Sequence, residues 1–220
     1  MQLAEENALS QSGQDTRERI LAAAELLYAQ KGVDQTSTRE ITALAGVNVA
    51  SVNYHFRSKG ALTEEIFMRL AERVTLRRSD ELSRLVNSAQ RLGGFPKLEE
   101  LIDCFVRPYF EHELNGALLA RFILQHRLHP SSITRSVYEQ YLDPFAVEFV
   151  DALCATGEPV TRIEWLWRYN LMTGAVVLAM TDTGPGNRMA ILSDGRADSA
   201  RGDELKRQIA AFLNRALRSS

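Results

Sequence analysis

The chain has 220 residues, 45% of them apolar and 25% charged, with a formal net charge of −2 at pH 7. This composition excludes a disordered, collagenous or disulfide-built chain. It also excludes a uniformly basic nucleic-acid coat, so any contact with DNA must come from a local patch on an acidic body.

The first 14 residues are polar and acidic, with no basic start and no apolar stretch. They read as a disordered tail and not as a signal peptide. A first helix is predicted from Asp15, which caps it with Glu18 three residues on. Ile20, Ala24, Leu27 and Lys31 keep helical spacing, and Gly32 stops the helix. Ser37 followed by Glu40 is a capping box, and the short helix that it opens ends by Gly46. Asn48 caps a third helix over Val49-Ala50-Ser51-Val52-Asn53-Tyr54, a segment poor in strong helix formers. Packing must hold it, with Val47, Val52 and Phe56 as anchors.

Ser58 caps a long helix through Leu62, Ile66, Leu70 and Val74, broken at Gly93-Gly94-Phe95-Pro96. Further helices are predicted at about 98–113, 117–128, 131–155 and 160–181. A Gly-, Asp- and Ser-rich loop over about 183–202 precedes a last helix at 203–217. The fold class is all-α, divided into the tail 1–14, a helix-turn-helix domain 15–62 and a helical bundle 63–220. The longest apolar run, Leu171 to Met180, is too short to span a bilayer, so the expected location is the cytoplasm, with no membrane partner. Cys104 and Cys154 lie far apart, form no CxxC pair and read as buried free thiols.

Two short helices joined by a glycine turn describe a helix-turn-helix, whose second member fits the DNA major groove. The segments Thr36-Ser37-Thr38-Arg39-Glu40-Ile41, Ala45-Gly46-Val47 and Asn53-Tyr54-His55-Phe56-Arg57-Ser58-Lys59, followed by Leu62, resemble the signature of the TetR family. The likeness is strong over about 16–66, and Thr42 and Asn53 depart from the usual pattern. The resemblance implies a dimeric repressor on a palindromic double-stranded DNA operator, released by a small apolar effector. It implies that Thr38 binds phosphate and that Arg39 reaches a base. Asn48, Val49, Ala50, Ser51 and Asn53 then meet base edges, while Tyr54, His55 and Lys59 hold the backbone and set register.

Useful specificity needs two reading heads about one helical turn apart, hence a homodimer. The last two helices are the candidates to join the copies. Their stripes are Trp165, Leu166, Tyr169, Met172, Thr173 and Val176, and Leu205, Ile209, Phe212 and Ala216. The middle helices are expected to enclose the effector, with Phe105, Tyr109, Phe122, His126, Tyr141, Phe145, Trp167 and Asn170 as candidate contacts. Arg107, Arg121 and Arg127 are further polar candidates for a carboxylate. The Asn53-Tyr54-His55-Phe56 end and Trp165-Leu166-Trp167-Arg168 also resemble a subgroup of the family that senses fatty acids or acyl thioesters. Ligand binding would favour a state whose heads are wrongly spaced for DNA, with the helix after Ser58 as lever.

Enzyme function is the rival class. No GxSxG, HExxH, Walker or GxGxxG pattern occurs. His126 and His129 have a metal-compatible spacing, but no carboxylate or cysteine completes a set. No catalytic residue, metal or cofactor is therefore expected. An activator of the same fold is the other alternative, because operator position decides that question.

Overall fold

A computed structural model describes the backbone of residues 2–218, and the side chains of residues 13–131 and 134–218. Among the described residues all regular structure is helical. The chain divides between Arg69 and Leu70 into two compact units.

The first unit begins with α1, Gln2–Lys31. The helix predicted to open at Asp15 therefore already runs through the segment expected as a tail. Ala4, Glu5, Glu6, Ala8 and Leu9 are strong helix formers with no proline among them. Asp15 is an interior acid, 3.8 Å from Arg19 one turn on, and not a cap.

The next helix is α2, Thr38–Ala45, and here the sequence signals act as read. Ser37 Oγ accepts from the Glu40 N–H, Glu40 accepts from the Ser37 N–H, and Gly46 takes a left-handed φ of 64°. Arg19 donates to the carbonyls of Ala45 and Gly46 at 2.5 and 3.1 Å, placing a cation at the negative end of α2. In α3, Ala50–Phe56, the Asn48 side chain accepts from the Ala50 N–H at 2.9 Å.

The long helix α4, Lys59–Arg91, starts under Ser58, whose hydroxyl accepts from the Ala61 N–H. Ile20, Ala24, Tyr28, Ile41, Val52, Phe56, Leu62 and Ile66 form the core of this unit. The Arg17 guanidinium lies 5.1 Å from the Phe56 ring centroid and pairs with Glu65 at 2.5 Å, which closes the core edge.

The second unit contains the remainder of α4, then α5, Leu98–Val106, and two 3-10 turns, Arg107–Tyr109 and His112–Leu114. It continues with α6, Gly116–Leu128, α7, Ser132–Val137, and α8, Asp143–Cys154. The helix predicted over 131–155 is interrupted by a π turn, Tyr138–Leu142. Pro144 has no N–H to offer the preceding turn, which is reason enough for the widening.

The final elements are α9, Arg162–Thr181, the short α10, Arg188–Leu192, and α11, Gly202–Ala216. The core of this unit joins Leu101, Phe105, Leu119, Phe149, Trp165, Val176 and Leu213, contributed by α5, α6, α8, α9 and α11. The two thiols separate: Cys104 is buried as expected, but Cys154 is exposed because it ends α8 on the solvent side.

Candidate nucleic-acid interface and ligand cavity

The short helix α3 has two unlike faces. Val52 and Phe56, one turn apart, are buried at 0% and 4% exposure. Val49, Ala50, Asn53, Tyr54 and Arg57 are exposed and follow the three-and-four spacing of a single helix face. Tyr54 is 85% exposed, far more than a core aromatic tolerates. Its ring meets the His55 ring edge-on at 4.9 Å between centroids. Ser51, His55 and Thr38 are half-buried, and Arg39 and Asn48 are exposed.

Lys59 is half-buried, and its ammonium donates to the Val33 carbonyl at 2.7 Å. Thr42 is 2% exposed, with its hydroxyl donating to the carbonyls of Thr38 and Arg39, so it supports α2 from within. Of the two departures from the family pattern, only Asn53 faces solvent.

The charges around α2 are balanced locally. Glu40 is hydrogen-bonded by Lys31 and by both the N–H and hydroxyl of Ser37. These contacts hold its carboxyl at about 2, against an ordinary 4.5. Arg39 and Arg57 are both exposed and add local positive charge.

Within the second unit, a cavity of about 60 Å³ is lined by residues that include Arg78, Phe105, Tyr109, Arg127, Tyr138, Asp143, Phe145 and Tyr169. Of the eight contacts expected from sequence, Phe105, Tyr109 and Phe145 meet here. Phe122 is buried in the core, while His126 stacks against Tyr138, 4.3 Å between centroids, beside the wall. Burial and the positive charge of Arg127 and Arg135 lower the His126 pKa. Asn170 accepts from Arg127 at 3.2 Å. Tyr141 is half-buried on the π turn, and Trp167 is 66% exposed on α9; neither is part of the lining.

Two features of the backbone shape the wall. A Cβ on Gly116 would overlap the backbone of Tyr109, so α6 reaches the first 3-10 turn only because that position has no side chain. The π turn delivers Tyr138 and Leu142 to the cavity just before α8 delivers Asp143 and Phe145. Burial pushes the Tyr169 phenol, on the facing α9, up to about 12.

Arg78 is the residue that the sequence reading missed. It stands among Arg77, Ser79 and Asp80, a stretch that reads as a solvated face. A signal was nevertheless present, because Leu70, Val74, Arg78 and Leu82 repeat at four-residue steps. All four are buried, at 0%, 0%, 2% and 4% exposure.

The apolar face left exposed on α9 also differs from the expected stripe. Trp165, Met172, Thr173 and Val176 point into the chain's own core. Ile163, Trp167, Leu171 and Leu178 are each 66–70% exposed at helical spacing, and Phe212 on α11 is 54% exposed. Among the described residues, no three His, Cys, Asp or Glu groups are placed to hold a metal, and no helix is long and apolar enough to cross a membrane.

Two family profiles match the chain. "Bacterial regulatory proteins, tetR family" covers residues 20–66, and "Tetracyclin repressor-like, C-terminal domain" covers residues 103–214. Among curated proteins, "Probable HTH-type transcriptional regulator YttP" of Bacillus subtilis (strain 168) is 29% identical over 127 residues, 58% of each chain. The HTH-type transcriptional dual regulator CecR of Shigella flexneri is 27% identical over 144 residues, 62% of each chain. The match thus spans about three-fifths of the length of these relatives. Among solved structures, a transcriptional regulator (TerR/AcrR family) from Aquifex aeolicus VF5 superposes with a TM-score of 0.55 at 20% identity. It covers 91% of this chain and 99% of its own, a likeness in fold.

Proposed function

The chain belongs to the tetR family of bacterial regulatory proteins, and from that premise we propose that it is a DNA-binding transcriptional repressor, dimeric on a palindromic operator and released by a small ligand. The unit ending at Arg69 reads DNA, and the unit beginning at Leu70 pairs the copies and receives the ligand. One observation carries this reading: α3 exposes Val49, Ala50, Asn53 and Tyr54 on one face while Val52 and Phe56 anchor the other. A segment this poor in helix formers is held rigid by packing, and its outward face is left for base edges and phosphates.

In this mechanism Asn48, Ser51 and Asn53 offer hydrogen bonds to base edges, and Val49 and Ala50 contact thymine methyls. Arg39 reaches a guanine, and Thr38 meets a phosphate at the N-terminus of α2. Tyr54, His55 and the N–H groups of Lys59 not used by Val33 fix the register on the backbone.

The exposed stripe Ile163, Trp167, Leu171 and Leu178, with Phe212, is the surface that a second copy covers. Ligand in the cavity releases DNA by favouring a conformation in which the two heads no longer match their half-sites. The helix α4 contributes residues to both units and is the covalent route for that change.

Selection of bound sequences from a random DNA pool tests the proposal. The expected product is an inverted repeat with half-site centres about 10 base pairs, or a multiple of that, apart. Recovery of no preferred sequence would refute DNA reading by α3.

A further inference from the structure

Resting on the assignment of the second unit to ligand binding, we infer that its cavity takes a compact carboxylate seated on the guanidinium of Arg78. Arg78 is 2% exposed, so its charge is almost wholly removed from water. One N–H, on Nη2, donates to the Phe105 carbonyl at 2.8 Å. The buried Nε finds no acceptor among the described residues.

Two acids of this unit are engaged elsewhere: Glu81 pairs with Arg77 and Arg107, and Glu111 with Arg77. The rings of Phe105 and Tyr109, 4.4 and 4.6 Å from the guanidinium carbon, offset part of the desolvation of this cation. Rings alone leave a buried arginine short of the anion that its planar fork is shaped to receive.

Charge and size define the occupant. Arg78 and Arg127 line the cavity against a single carboxylate, the exposed Asp143, which leaves one net positive charge on the wall. A volume of about 60 Å³ accommodates roughly four to six water-sized atoms. That is the size of a short-chain carboxylate, and a long acyl chain does not fit without opening the walls. The rings of Phe105, Tyr109 and Phe145 then cover the apolar end of the ligand.

The test is calorimetric titration of the full chain with propionate and with propionamide, its neutral counterpart of nearly equal shape. The expected result is at least tenfold tighter binding of propionate, with a raised thermal midpoint. Arg78→Met is expected to abolish the preference, and Arg78→Lys, which keeps charge but not the fork, to weaken it. Equal binding of the two probes, or no binding of propionate at millimolar concentration, overturns the inference on the unaltered protein alone. Survival of the preference in a folded Arg78→Met protein overturns it as well. Affinity for selected DNA is measured separately. Absence of the carboxylate preference in the unaltered protein with its DNA binding intact removes only this inference, whereas absence of DNA binding removes the function on which it rests.

Discussion

The ammonium of Lys59 donates to the carbonyl oxygen of Val33 at 2.7 Å, tying the first residue of α4 to the turn that follows α1. An ammonium has three N–H bonds, so this contact leaves two for a phosphate. Lys59 therefore braces two helix ends, and under the proposed mode of DNA reading it also meets the backbone of the duplex. Lys59→Met keeps the aliphatic stem and removes both contacts. We expect it to lower unfolding stability by about 1–2 kcal/mol in urea titration. The slope of log affinity against log salt should also become shallower by about one. Unchanged stability would show that the Val33 contact contributes nothing.

The capping box at α2 has a pH signature. The Lys31 contact, followed by the two from Ser37, depresses the Glu40 carboxyl from 4.5 to about 2. Because the folded value is the lower one, the resulting stabilisation is complete above 4.5 and is lost as pH falls toward about 2. Following the Glu40 carboxyl by NMR should give a raised midpoint in Ser37→Ala and a larger rise in Lys31→Met. Loss of the cap in Ser37→Ala is also expected to cost about 1 kcal/mol at neutral pH.

Much of this first unit was legible in the sequence because its signals are local. Ser37 with Glu40, the left-handed Gly46 and Ser58 each act on groups within a few residues, and each takes its expected part. Asp15 misled because an acid inside a helix and an acid capping one look alike until the preceding residues are weighed. The second unit was harder to read, because its cavity is assembled from α4, α5, the first 3-10 turn, α6, the π turn, α8 and α9. Helical periodicity marked Phe105, Tyr109 and Phe145 as inward. It could not tell that Trp165 is core while Trp167, two residues on and therefore on the opposite side, faces solvent. Arg78 was overlooked because residue type was given more weight than its position in the stripe Leu70, Val74, Leu82.

The two cysteines make a simple check on the second unit. Burial holds the Cys104 thiol up at about 12, so it stays protonated and shielded. Cys154 is exposed. A disulfide reagent at neutral pH should label one thiol per native chain and both after denaturation. Labelling of the native protein should be unaffected in Cys104→Ala and abolished in Cys154→Ser. Rapid modification of Cys104 in the native protein would contradict the packing of α5.

The proposed dimer surface predicts a separation of assembly from folding. Leu171 is 67% exposed in the single chain, so Leu171→Lys adds a charge without disturbing the core. Sedimentation should show the unaltered protein as a dimer and the variant as a monomer, with chain stability changed by no more than about 0.5 kcal/mol. The monomer should bind an isolated half-site weakly and lose its advantage on the full inverted repeat. A variant that remains dimeric would place the interface elsewhere.

The central claim is that the outward face of α3 reads DNA, and the most direct measurement is the affinity of Asn53→Ala and Tyr54→Ala proteins for the selected operator. Both side chains are exposed, Tyr54 by 85%, so unfolding midpoints should match the unaltered protein. Asn53→Ala should lose about 1–3 kcal/mol of discrimination at one base position, and Tyr54→Ala should weaken binding uniformly across sequences. Unchanged operator affinity in both stable variants would contradict the assignment of α3 as the reading helix.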